Sequence, residues 1–217
     1  AGISSFLQDK PNIFYKIHNN KNNNLLNDNI SEIKNLDDLR LLIKKSSNLK
    51  FQKYFNKTII GEGNEKAKIF IIGEFPEKEN NKIKSFAGKS EELLNKMLKA
   101  INLNRENVYT ANVIPWLIEK NKRIENEDIL ECLPFIQRQI EIISPKIILL
   151  MGPLAAKAIL NSNLEISELR GEWHEYKSIN LFKTIECLVT YHPKHLIKYP
   201  KEKKYAWEDL QIFQKKI

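Results

Sequence analysis

The chain has 217 residues, of which 35 are Lys or Arg and 27 are Asp or Glu, so its formal net charge is +8. Its two cysteines are too few for a disulfide framework or for a four-cysteine zinc or iron–sulfur site. No apolar run approaches the roughly 20 residues of a bilayer-spanning helix and no leader is recognisable, so we expect a cytoplasmic protein that contacts no membrane.

The first forty residues differ in composition from the rest of the chain. Residues 18–29 are rich in Asn and Lys and hold few apolar side chains, so they bury too little surface to offset the entropy of ordering. We predict a linker there, preceded by a short helix with Ile3 and Phe6 on its apolar side. Residues 30–46 place apolar side chains at helical spacing. We therefore expect an extension over residues 1–40 and one compact domain over residues 41–217.

From residue 66 onward, apolar runs alternate with amphipathic helical patterns. The predicted strands cover residues 67–73, 108–113, 147–152 and 185–191, and the predicted helices cover residues 90–101, 126–143, 154–160 and 202–213. Nearly continuous aliphatic runs are typical of strands buried on both faces, and strand–helix alternation builds a parallel sheet. The predicted fold class is α/β, with a central four-stranded parallel sheet.

Polar side chains follow the predicted strands at their carboxyl ends, where parallel sheets bind their ligands. Glu74 and Glu79 follow the first strand, and Phe86 lies in the same connection. Asn112 ends the second strand, and His192 follows the last. A flat heterocycle could stack on the phenyl ring, be recognised by the amide and leave as an anion stabilised by the imidazole. A carboxylate could orient water or favour positive charge on a sugar, so this set predicts cleavage of an N-glycosidic bond.

Each of these residues also has a plain structural interpretation. His192 can be a hydrogen-bonding residue at a strand end, Asn112 can cap a turn, and Phe86 can belong to the core. Residues 77–79 alone are typical of a solvated turn. The Gly-Glu-Gly at residues 61–63 precedes a predicted strand, whereas the dinucleotide fingerprint follows one, so we discount it as a phosphate loop.

A longer series of motifs runs in order along residues 45–215. It includes Gly73-Glu74-x-Pro76, Phe86-Ala87-Gly88-Lys89, Asn107-Val108-Tyr109-x-x-Asn112-Val113, Leu169-Arg170-Gly171-x-Trp173, Tyr191-His192-Pro193 and Ala206-Trp207-Glu208-Asp209-Leu210. Together these motifs resemble the bacterial family 4 uracil-DNA glycosylases. The resemblance implies a three-layer α/β/α domain that excises flipped-out uracil from DNA in base excision repair, without a metal or a covalent intermediate.

The resemblance also implies roles for individual residues. The catalytic set would be Glu74, Glu79, Asn121 and His192, and the substrate-binding set would be Phe75, Phe86 and Asn112. Uracil would stack on Phe86, and Glu79 would guard the edge where thymine carries its methyl group.

The basic surplus favours a polyanionic partner, which the resemblance identifies as DNA. Lys194, His195 and Lys198 would lie beside phosphates, and Leu196 would enter the duplex in the space of the extruded base. We expect a monomer associated with the nucleoid.

Two departures from the family pattern bear on activity. The family usually holds an iron–sulfur cluster on four cysteines, and the matching positions here are Ser46, Leu49, Trp116 and Cys132, so we expect no cluster. Bulky apolar side chains at two of these positions could fill the space. The first motif is also one residue shorter and lacks a glycine, which could displace the water or narrow the pocket. A degenerate DNA-binding module of the same fold therefore stays an alternative, and so does a nucleotide- or phosphate-handling enzyme.

Overall fold

The structure is a computed structural model that describes residues 30–45, 58–118, 123–178, 180–181 and 183–217. The predicted N-terminal helix and linker lie outside these residues, and the boundary near residue 40 stays a prediction. The helix predicted over residues 30–46 is present as α1, Leu36–Lys45. None of the helices in the described part of the chain has the length and hydrophobicity needed to cross a bilayer.

Among the described residues, the main sheet has six strands in the order β1-β5-β2-β6-β8-β7. They are β1 Gly61–Gly63, β2 Ile69–Gly73, β5 Val108–Asn112, β6 Ile147–Met151, β7 Trp173–Ser178 and β8 Lys183–Thr190. The four predicted strands are the central ones, and all three pairings among them are parallel. The predicted parallel sheet is therefore confirmed as the centre of a wider, mixed sheet.

The two edge strands pair antiparallel, β1 with β5 and β7 with β8. Neither edge strand was predicted from the sequence. Strand β1 is a three-residue Gly-Glu-Gly without apolar side chains, and β7 has only two buried residues. An edge strand lacks one neighbour, so it does not need the continuous apolar run by which the central strands were identified.

The segment predicted as a solvated turn after β2 forms a hairpin instead. Its strands, β3 Glu77–Glu79 and β4 Lys82–Lys84, pair antiparallel. Asn80 and Asn81 join them with φ values of 48° and 62°. Two consecutive positive φ values are typical of the two-residue turn that matches the twist of a hairpin, and Asn tolerates them.

Helices cover both faces of the sheet, which confirms the three-layer α/β/α architecture. The remaining helices are α2 Lys89–Ala100, α3 Asn126–Ile143, α4 Pro153–Leu160, α5 Ile166–Leu169, α6 Pro193–Lys198 and α7 Lys203–Gln214, with a 3-10 turn at Pro200–Glu202. Strand β2 directs Phe70 and Ile72 toward α1, α3 and α4, and Ile69 and Ile71 toward α2, α6 and α7. The period-two alternation of a strand thus feeds two apolar cores.

A buried ion pair fixes the carboxyl end of β8. Arg170 donates to the carboxylate of Asp209, which is fully buried on α7. Thr190, the last residue of β8, donates its hydroxyl to the same carboxylate at 2.7 Å. Gly171 has a φ of 74°, and a Cβ there would lie 2.8 Å from Asp209 Oδ1. Two motifs distant in sequence, at residues 169–173 and 206–210, are therefore parts of one anchor beneath His192.

Candidate functional site

Phe86, Asn112 and His192 converge at the carboxyl edge of the sheet, as predicted. Strand β2 ends at Gly73, which is in register with Asn112 at the end of β5. A Cβ on Gly73 would lie 2.5 Å from Asn112 Oδ1 and 2.9 Å from Phe86 Cζ, so only glycine leaves room for both side chains. The rings of Phe86 and His192 stack, with centroids 5.2 Å apart and planes 18° from parallel.

The amide of Asn112 is buried and only partly satisfied. Its Nδ2 donates to the backbone carbonyl of Ser85 at 3.1 Å, which sets the orientation of the amide. Its Oδ1 has no hydrogen-bond partner among the described residues, although the residue has no exposed surface. An unpaired buried acceptor costs about 1–3 kcal/mol, so this oxygen is poised for an N–H donor from a ligand.

His192 is a neutral imidazole with a free donor. Its Nδ1 accepts the backbone N–H of Lys194 at 3.2 Å, so the ring proton of the neutral form is on Nε2. Burial lowers the pKa of His192 to about 3, and the nearby charges of Lys194 and His195 act in the same direction. No residue that the structure describes is a hydrogen-bond partner of Nε2, so this atom can donate to a ligand oxygen.

Glu74 lies at the same sheet edge, against the start of α4. Its Oε1 accepts the backbone N–H of Leu154 at 3.1 Å. Gly152 has a φ of 101°, and a Cβ there would lie 2.6 Å from this oxygen. Burial raises the pKa of Glu74, while the Leu154 hydrogen bond and the charge of Lys194 oppose that rise. The result is a partly buried carboxylate beside the pocket.

The second acid of the first motif lies differently from Glu74. Glu79 is exposed on the hairpin, and its carboxylate rests against Gly88 in the space that a side chain there would need. Glu77, which the sequence pattern placed in a solvated turn, is the half-buried acid of the hairpin. Its two oxygens accept the N–H of Ala87 at 3.3 Å and the hydroxyl of Ser90 at 3.2 Å. In the sequence, the only signals for Glu77 were its carboxylate and its position two residues before Glu79.

Lys194 and Lys198 project from α6 into solvent, as contact with phosphates would require. Lys194 Nζ lies 3.8 Å from Glu77 Oε1 and 5.5 Å from the ring centre of Phe75. Phe75 is half-buried beside the pocket. Lys198 Nζ lies 5.0 Å from the ring centre of Tyr199.

His195 is half-buried within a ladder of rings. It stacks on Tyr191 with centroids 5.0 Å apart and contacts Tyr199 at 4.8 Å. Its Nε2 lies 2.6 Å from Glu202 Oε2. The imidazole is therefore held in place, with about a third of its side chain open to solvent.

The structure corrects the placement of Leu196. Residues 193–198 form a helix, and its geometry turns Leu196 inward, where it is 1% exposed and packs in the core that contains α2 and α7. A side chain in that position cannot enter a duplex. The neighbouring Ile197 is 36% exposed and is the apolar residue that α6 presents to solvent.

The positions that would match a cluster's cysteines do not fit an iron–sulfur cluster where the structure describes them. Trp116 is buried, its ring packed edge-on against Phe135 with centroids 6.0 Å apart. Cys132 lies buried in the same apolar core. An indole and one thiol cannot replace a set of thiolates. Ser46 and Leu49 lie outside the described residues, as does Asn121, whose catalytic role stays a prediction.

Comparison with known proteins gives consistent matches. The family model of the uracil DNA glycosylase superfamily matches residues 60–211. A type-4 uracil-DNA glycosylase of Saccharolobus solfataricus is 33% identical over 183 residues, covering 82% of this chain and 84% of that protein. Proteins with the same name from Sulfurisphaera tokodaii and Archaeoglobus fulgidus are 34% and 32% identical, covering 75% and 77% of this chain and 76% and 86% of their own. The superfamily match includes Phe86, Asn112 and His192.

Proposed function

The chain belongs to the uracil-DNA glycosylase superfamily and to its type-4 members, and on this premise we propose that it hydrolyses the N-glycosidic bond of uracil flipped out of DNA. The supporting observation is a pair of buried atoms beside one aromatic ring, Asn112 Oδ1 and His192 Nε2, neither of which is hydrogen-bonded within the part of the chain that the structure describes. Uracil offers an N3–H donor to the first and a carbonyl oxygen to the second. Cytosine has an acceptor at N3, so the same amide oxygen would repel it. The enzyme thereby acts in base excision repair.

The proposed reaction is dissociative. The bond between uracil N1 and sugar C1′ breaks, and its electron pair leaves with the base. His192 donates from Nε2 to a carbonyl oxygen of the departing anion, which it stabilises without transferring a proton because the imidazole is neutral. The carboxylate of Glu74 favours the positive charge that develops on the sugar and orients the water that adds at C1′. The proton released by that water neutralises the uracil anion.

The proposal also assigns two further residues to catalysis and three residues to DNA binding. Glu79 and Asn121 belong to the catalytic set, with Glu79 at the edge that would meet the methyl group of thymine. Lys194, His195 and Lys198 contact phosphates of the DNA, and the enzyme acts as a monomer. The exposed positions of Lys194 and Lys198 support their part in it.

We also propose that the chain works without an iron–sulfur cluster. The support is its count of two cysteines and the burial of Trp116 at a matching position. Anaerobically purified protein is expected to lack iron and visible charge-transfer absorption. About four irons per chain would contradict the proposal.

The activity test uses an oligonucleotide with one uracil and detects abasic sites by alkaline cleavage. Wild type is expected to release uracil, and Asn112→Ala and His192→Ala are each expected to slow single-turnover release by about 10²–10³-fold. Lys177→Ala, an exposed change on the edge strand β7, serves as the control and should match wild type. Release that is unaffected by both pocket variants would refute this use of the pocket.

One observation favours the degenerate DNA-binding module as a second candidate. The stacked contact of Phe86 and His192, 5.2 Å between centroids, leaves no space for a third ring between them. A base could reach that face of Phe86 only if the two rings separate. Tight binding to uracil-containing DNA without base release would identify this alternative.

A further inference from the structure

Two segments meet at the candidate site, and a base can lie between their rings only if the segments move apart. One carries Phe86 and continues into α2, and the other carries His192 and continues into α6. They come from distant parts of the chain and touch through the stacked rings. A single pair of stacked rings is a weak contact, so a further contact helps to fix the relation between the two segments.

Glu77 makes polar contacts with both segments. Its Oε2 accepts the N–H of Ala87, the residue after Phe86, and its Oε1 accepts the hydroxyl of Ser90 in the first turn of α2. The same Oε1 lies 3.8 Å from Nζ of Lys194, two residues after His192. The carboxylate thus lies between the stacking ring's segment and the imidazole's segment.

Burial differs between the two sides of this contact. The side chain of Glu77 is 11% exposed, whereas that of Lys194 is 64% exposed. The bonds to Ala87 and Ser90 are therefore shielded and charge-assisted, and they form the stronger tie. The contact with Lys194 is more hydrated and weaker, so it can yield while the first tie holds.

We infer that Glu77 is a positioning residue of this enzyme: its carboxylate holds the Phe86 segment and couples it to the His192 segment through Lys194. The inference rests on the proposed function and adds to it a residue outside the first-motif pair of Glu74 and Glu79. Displacement of a reacting group by about 1 Å can cost about a hundredfold in rate, so loss of this carboxylate should affect catalysis without any contact to substrate.

The first test replaces the side chain. Glu77→Ala is expected to lower the single-turnover rate of uracil release by about 30- to 100-fold. It should also weaken binding of an oligonucleotide with 2′-fluoro-2′-deoxyuridine, in which the fluorine disfavours the cationic sugar and so slows cleavage. Glu92→Gln, an exposed acid in the same first turn of α2, is the matched control and should behave as wild type. Wild-type rate and affinity in Glu77→Ala would overturn the inference.

The second test is a double-mutant cycle. A purely structural role of Glu77 would produce no coupling between Glu77 and Lys194. Glu77→Gln keeps one acceptor oxygen for the Ala87 N–H, and its NH2 group can donate to the Ser90 hydroxyl oxygen, but the charge that faces Lys194 is removed. If the pair acts as one unit, the rate of Glu77→Gln with Lys194→Gln should lie within about threefold of the slower single variant. Losses that multiply would overturn the coupling.

Failure of the proposed function would look different. Wild-type protein would then release no uracil, and affinity for the 2′-fluoro oligonucleotide would still report on Glu77. Thermal unfolding of each variant verifies that it is folded at the assay temperature, and Glu77→Gln provides the folded variant if Glu77→Ala is not.

Discussion

The imidazole of His192 and the carboxylate of Glu74 are both removed from water at the same sheet edge, and burial shifts their pKa values in opposite directions. Burial lowers the pKa of His192 to about 3 and raises that of Glu74, because each environment disfavours the charged form. A neutral imidazole near pH 7 suits a donor that stabilises a departing anion, since it does not compete as an acid.

Protonation of His192 should make stability depend on pH. The unfolded chain binds a proton below about pH 6.5, whereas the folded protein does so only near pH 3. The free energy of unfolding should therefore fall as pH falls through this window, by up to about 1.4 kcal/mol per pH unit from this group. In His192→Asn that contribution should be absent. Urea unfolding at pH 4.5, 5.5, 6.5 and 7.5 measures both slopes, and equal slopes would contradict the pKa shift.

Replacement of Glu74 by Gln should raise the stability of the protein and lower its activity. Its folded-state pKa is raised, so the charged form opposes folding above the unfolded pKa near 4.5, and stability from this group is lost as pH rises. Glu74→Gln keeps an acceptor for the Leu154 N–H without the charge. We expect a higher Tm at pH 7, with uracil release slowed at least about tenfold. A lower Tm would show that the charge stabilises the fold.

Among the secondary-structure elements, those that carry the site are held by contacts outside it. Strand β8 ends at Thr190, and the pair of Arg170 and Asp209 anchors that end to α7. His192 follows two residues later, as the cap of α6. The family motifs at residues 169–173 and 206–210 therefore support the site by fixing the end of β8 that precedes His192, and not by taking part in the reaction.

Breaking this anchor should destabilise the protein strongly. Asp209 is fully buried and Arg170 is 17% exposed, so Asp209→Ala leaves a poorly hydrated guanidinium and an unpaired Thr190 hydroxyl. We expect a loss of about 3 kcal/mol in the free energy of unfolding. The double variant Arg170→Met with Asp209→Leu should lose clearly less than the sum of the single changes, because no charge is left unpaired. Additive losses in denaturant titrations would argue against the pair.

At the scale of the whole molecule, lysines lie at both ends of the central strands. The carboxyl ends hold the proposed active site, with Lys194 and Lys198 beside it. A cavity of about 540 Å³ lies at the opposite ends, where β2 and β6 begin, and its lining includes Lys68, Lys146 and Lys216. The net charge of +8 is a property of the whole chain and does not identify the surface that binds DNA. Salt titration of variants identifies that surface.

Binding to DNA should weaken steeply as salt rises. Each phosphate neutralised by a lysine contributes about −0.9 to the slope of log K against log salt. Lys194→Ala and Lys198→Ala should each reduce the magnitude of this slope by about 1, with nearly equal effects on all sequences. Lys177→Ala on the edge strand should leave it unchanged. Fluorescence anisotropy between 50 and 200 mM KCl measures the slopes, and a slope that neither lysine alters would move the interface elsewhere.

The sequence alone determined the central sheet, helices α1, α2, α3, α4 and α7, and the convergence of Phe86, Asn112 and His192. Apolar periodicity reports burial, and parallel strands bring their carboxyl ends to one edge, so these features follow from local patterns. The short edge strands left no such pattern.

Only the tertiary structure decided the positions of Glu77 and Leu196. An acid in a short polar segment has the same local signature whether it faces solvent or a neighbouring loop, and the partners of Glu77, which are Ala87, Ser90 and Lys194, come from elsewhere in the chain. Leu196 faces inward because α6 begins at Pro193 and packs on the sheet. Which side of a short helix is covered depends on what lies against it, and that information is not local in the sequence.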